Sequence, residues 1–123
     1  MPALNQMYNV HKAKLICELL PEEIPGFLDF AKSFSDGITA APDELRKQWK
    51  INPIIGPDQW LSYAAETSQI ITQYGKKLAK SPKVFADQLF DGMIALYTCH
   101  CLQQYVEHKT TNEKFKLAYQ LIF

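Results

Sequence analysis

The spacing of apolar residues restricts this chain more than any other feature. Almost every long segment sets them three and four positions apart, the repeat of an α-helix with one buried face. No segment alternates apolar and polar residues as a half-buried strand does. Where the repeat stops, prolines and glycines stand. The expected fold is therefore all-α. Residues 1–123 form a single-domain helical bundle of about five main helices plus one short helix. A chain of 123 residues is long enough to bury a core without disulfide or metal staples.

The first expected helix places Leu4, Met7, Tyr8, His11, Leu15 and Leu19 on one stripe and ends before Pro21. The second opens near Ile24 and Pro25, buries Ile24, Phe27, Ala31 and Phe34, and closes at Gly37, a natural left-handed cap. "ITAA" reads as a loop into a short helix, "PDELRKQWK", whose acidic start and basic end match the helix dipole. "INPIIGP" then separates helices rather than domains. A long helix from about Pro57 to Lys80 has Trp60, Ala64, Thr67, Ile71, Tyr74 and Leu78 inside, with Ala64 and Gly75 small enough for a close neighbour. Ser81-Pro82 caps the next helix, which runs to about Lys109. Thr110 and Glu113 fit a capping box for a terminal helix that buries Phe115, Ala118, Tyr119 and Ile122.

Thirteen basic residues balance thirteen acidic ones. A net charge of zero lacks the basic field that nucleic acid or an anionic membrane requires, and it leaves self-association unopposed. "MPALNQMYNVHKAK" has no signal-peptide run, and no stretch reaches the roughly 20 apolar residues of a membrane span, so a cytoplasmic protein is expected. Its three cysteines then read as thiols.

The stretch "YTCHCLQQYVEH" raises metal binding, because Cys99, His100, Cys101 and His108 fall within a dozen positions. On a helix, Cys99 and Cys101 point to nearly opposite sides. Cys101 and His108 share a face but stand roughly 10 Å apart along the axis, too far for one zinc ion. No metal and no cofactor is inferred. The apolar circumference around these residues reads as the middle of a central core helix, with Asp87, Asp91 and Thr98 on a narrow polar strip. His100 lies in line with Gln104 and Glu107, either of which could fix its tautomer.

Asp87 and Asp91 stand four apart, but the Glu-x-x-His pairs of di-metal bundles are missing, and Lys83 makes the strip an ion-pair face. Lys76, Lys77, Lys80 and Lys83 form the most basic stretch, which the helix C-terminus alone explains. The connection through "ITAAP" is too long for a helix-turn-helix. The chain has no phosphate-cradling glycine loop, nucleophile elbow, H-E-x-x-H or C-x-x-C.

Two readings remain. In the first, the protein is a cytosolic helical interaction or accessory module that associates with a partner or with itself, a homodimer being the simplest assembly. Trp49, Trp60, Leu121, Ile122 and Phe123 are its candidate contact residues, and no catalytic residue is assigned. In the second, it is a small-molecule-binding or enzymatic bundle, with a pocket lined by His100, Tyr97, Gln104 and Tyr74.

Overall fold

The computed structural model describes residues 4–41 and 56–122, with backbone alone for residues 4–9 and Pro57. Among the described residues there are six helices and no strand, as an all-α bundle requires. They are α1 (Leu4–Leu19), α2 (Ile24–Ala40), α3 (Pro57–Lys80), α4 (Pro82–Leu89), α5 (Ile94–His108) and α6 (Glu113–Ile122), with a 3-10 turn, Pro21–Glu23, between α1 and α2. The expected short helix over residues 42–50 and the loop after it lie outside the described residues.

Proline sets where half of the described helices start. Pro25, Pro57 and Pro82 each occupy a first turn, where the absent N–H is no loss. Ser81 caps α4 as expected, its Oγ accepting from the Val84 N–H at 3.3 Å. Gly37 does not end α2, which continues to Ala40; Gly37 has no positive φ, and only Gly92 does among the described residues. So most of the expected "ITAA" loop is helix.

The largest departure falls between residues 89 and 94. One continuous helix was expected from Ser81 to about Lys109; the chain instead turns a corner, with Gly92 at φ 59°, and restarts at Ile94. The signal was the Asp-Gly dipeptide at 91–92, a turn former that the surrounding apolar period masks. Wheel positions are lost across a corner. Thr98, expected on a polar strip with Asp87 and Asp91, is fully buried and returns its hydroxyl to the Ile94 carbonyl at 3.0 Å.

From Val10 onward α1 presents the opposite face from the one expected; the side chains of Leu4, Met7 and Tyr8 lie outside the described ones. Its core residues are Ala13, Ile16 and Cys17, flanked by Val10 and Leu20, while His11, Leu15 and Leu19 face outward. Two apolar stripes compete on this helix. The one that carries the polar His11 loses, since an inward histidine would need a buried partner.

The terminal helix starts two residues later than the capping box implied. Asn112 is the cap, its Oδ1 accepting from the N–H groups of Lys114 (3.0 Å) and Phe115 (3.3 Å). Thr110 is buried instead, and its hydroxyl donates to the Glu23 carboxylate while accepting from the Asn112 N–H at 3.2 Å. Tyr105 reaches the same carboxylate. Gly26 makes this junction possible: a Cβ there would stand 2.6 Å from the Tyr105 hydroxyl.

α5 is the hub and packs against all five other helices. One apolar cluster draws on all six, from Ile16 on α1 through Phe27, Trp60, Phe85 and Leu102 to Phe115 on α6. α2 and α3 run antiparallel, tied by Lys32 and Asp36 of α2 to Ser68 of α3. The expected inner stripe of α3 holds for Trp60, Ala64, Thr67 and Leu78, but Tyr74 is 42% exposed. Over that turn the two helices leave an open groove, and Gly75 faces it with no neighbour rather than admitting a close one.

Candidate functional site

The cysteine–histidine stretch lies within α5, a regular helix, so its side chains fan out around the axis. Cys101 is fully buried, and Cys99 and His100 are half-buried. Burial pushes both thiols up to about 12, far above the range in which a thiolate would be available at neutral pH. Cys17, buried on α1, is pushed up for the same reason. Among the described residues no group of three His, Cys, Asp or Glu side chains is placed to hold a metal ion.

Among the described residues, His100 and Tyr97 both pack against aromatic rings. The Trp60 ring stands edge-on to both, its centre 4.8 Å from that of Tyr97 and 5.0 Å from that of His100, and Phe34 closes the other side of the imidazole at 5.9 Å. Burial lowers the His100 pKa, and the Glu107 charge offsets part of that. Glu107 itself accepts from the Gln103 amide at 3.2 Å and lies 3.7 Å from His108. The Tyr97 hydroxyl is hydrogen-bonded to Ser35 Oγ at 2.6 Å, and burial drives its pKa upward, so the phenol stays protonated. Two further polar atoms on the same α3 stripe, Trp60 Nε1 and Thr67 Oγ1, are buried with no hydrogen-bond partner among the described residues.

The remaining residues of the expected pocket do not join this cluster's rings. Gln104 is half-buried further along α5. Tyr74 lines the α2–α3 groove, of about 980 Å³, with Leu28, Lys32 and Ile71. Beside that groove, Ser68 donates to Asp36 and accepts from Lys32 at 3.3 Å. These bonds hold the Asp36 carboxyl below its usual range. The ammonium is committed to the carboxylate at 2.7 Å, so it cannot serve Ser68 as a base, and the trio ties two helices together.

The expected contact residues divide. Trp60, 2% exposed, belongs to the core, where no partner reaches it. Ile122 is half-buried against the core, whereas Leu121 is 78% exposed. Trp49 and Phe123 lie outside the described residues. Three further exposed leucines escaped the reading of the sequence: Leu15 and Leu19 on α1, and Leu117 on α6. Each helix thus carries a leucine pair four residues apart, on the face opposite its buried one, and the two helices pack side by side. Opposed stripes were visible on both helices, but a helix was expected to spend its apolar residues on one face.

No known protein family, curated protein or solved structure matches the chain. Among the described residues no helix is long and apolar enough to cross a membrane.

Proposed function

We propose that the protein is a helical interaction module that associates with a second copy of itself through the outer faces of α1 and α6, acting as a cytoplasmic accessory protein. The observation that carries this reading is the pair of leucine pairs, Leu15 with Leu19 and Leu117 with Leu121, held in water on neighbouring helices whose other faces already fill the core. An i, i+4 leucine row is the ridge that packs into the groove of a facing helix. Zero net charge leaves the approach of two copies unopposed, and a face that meets its own copy gives a closed, symmetric dimer.

Sedimentation velocity over a concentration series tests it. The chain is expected to move from monomer to dimer as concentration rises. Leu117→Lys with Leu121→Lys should weaken dimerisation by on the order of ten-thousandfold, since a symmetric dimer loses the leucines of both copies and each one kept in water forgoes on the order of 1.5 kcal/mol. A monomer at every concentration would overturn the proposal. The alternative of a ligand pocket at His100 and Tyr97 has less support, because among the described residues aromatic rings pack on both.

A further inference from the structure

A second concavity lies between the middle of α1 and the corner joining α4 to α5. It measures about 320 Å³, at the lower end of small-ligand sites. Val10, Phe90, Met93 and Leu96 supply its apolar wall, and His11 and Lys14 supply its polar one. No acidic side chain lines it among the described residues.

The corner that sequence periodicity concealed is what creates this space. A helix running straight from Ser81 to Lys109 would have no bend at residues 89–94 beside α1. With Gly92 in the left-handed conformation, Phe90 closes one side from the end of α4, and Ala95 and Leu96 close another from the start of α5. Val10 and His11 stand four and three residues before Lys14, so each shares a side of α1 with it and all three line the opening. Lys14 is half-buried and lines the opening, as a lysine does when its stem lies along apolar surface. An apolar chamber with a cationic edge and no anionic one selects a molecule with an apolar body and a negative end.

From this we infer that the pocket binds a small amphipathic carboxylate, its apolar body against Phe90, Met93 and Leu96 and its carboxylate at Lys14 and His11. At the roughly 30 Å³ that a water occupies in the liquid, the space suits about ten non-hydrogen atoms. Octanoate is of that size.

Isothermal titration of the full chain with octanoate, 1-octanol and octylammonium tests charge and shape separately. Octanoate should bind at one per chain, about tenfold tighter than octanol, with octylammonium weaker still, because a charge-assisted contact distinguishes the three heads. Lys14→Glu should bring octanoate down to or below octanol, while octanol binding holds. Val10→Trp should fill the space and abolish binding of both, with helicity by circular dichroism confirming the fold. Should that variant unfold, the comparison of head groups and Lys14→Glu decide the matter. Absence of saturable octanoate binding, equal binding of octanoate and octylammonium, or octanoate affinity unchanged in Lys14→Glu would each overturn the assignment. Octanoate should still bind the chain carrying Leu117→Lys with Leu121→Lys, neither of which lines the pocket, which separates this site from self-association.

Discussion

His100 sits half inside the protein between Trp60 and Phe34, an environment that favours its neutral form. Unfolded, it takes a proton near its ordinary 6.5; folded, it takes one only at lower pH. Below 6.5 the unfolded chain therefore binds more protons than the folded one, and stability falls as the pH drops from there through the lowered folded value. Urea unfolding at about pH 8 and pH 5 should show a loss that His100→Phe reduces. An unchanged pH slope in that variant would mean the imidazole is solvated in both states. Thr67 tests the opposite situation, a hydroxyl buried with no partner among the described residues. Thr67→Val, of similar shape, should stabilise the protein by about 1 kcal/mol; destabilisation would show that the hydroxyl is bonded after all.

At the scale of elements, the corner between α4 and α5 and the start of α6 are the informative cases. Gly92 holds φ 59°, where a Cβ is strained although nothing crowds it. Gly92→Ala should cost about 1–2 kcal/mol in thermal or urea unfolding, and no change would mean that the corner is not left-handed in solution. Asn112→Ala removes the acceptor of two amides and should cost about 1 kcal/mol, whereas Glu113→Ala should cost less. The helices themselves were legible, because proline and Ser81 announce their starts and period 3.6 runs through them. The corner was not, since Phe90, Met93 and Ile94 continue an apolar pattern that a wheel cannot distinguish from an unbroken turn. Nor was the α6 cap, because choosing between Thr110 and Asn112 depends on Glu23, which is remote in sequence and adjacent only once folded.

Across the whole molecule, α5 explains why the most chemical stretch of the sequence is the least reactive part of the fold. Surrounded by five helices, it keeps Cys101 and Tyr97 protonated and packed. Ellman's reagent should therefore label the native chain slowly and all three thiols readily in urea; rapid native labelling of Cys17 or Cys101 would contradict this burial. The candidate sites lie instead on the periphery, where the unforeseen corner hid the pocket and competing apolar stripes hid the leucines. On α1 two apolar stripes compete, and which of them is the core depends on what the rest of the chain packs there. The losing stripe, with Leu15 and Leu19, is what remains for a partner.

That leftover surface is the centre of the account, and the dependence of unfolding on protein concentration tests it most directly. If two copies bind through α1 and α6, the unfolding midpoint rises with concentration, because mass action stabilises the folded dimer over the unfolded monomer. Leu117→Lys with Leu121→Lys should make the midpoint independent of concentration without changing helicity. A midpoint already independent of concentration in the unaltered chain, across the range where sedimentation should detect a dimer, would contradict the account.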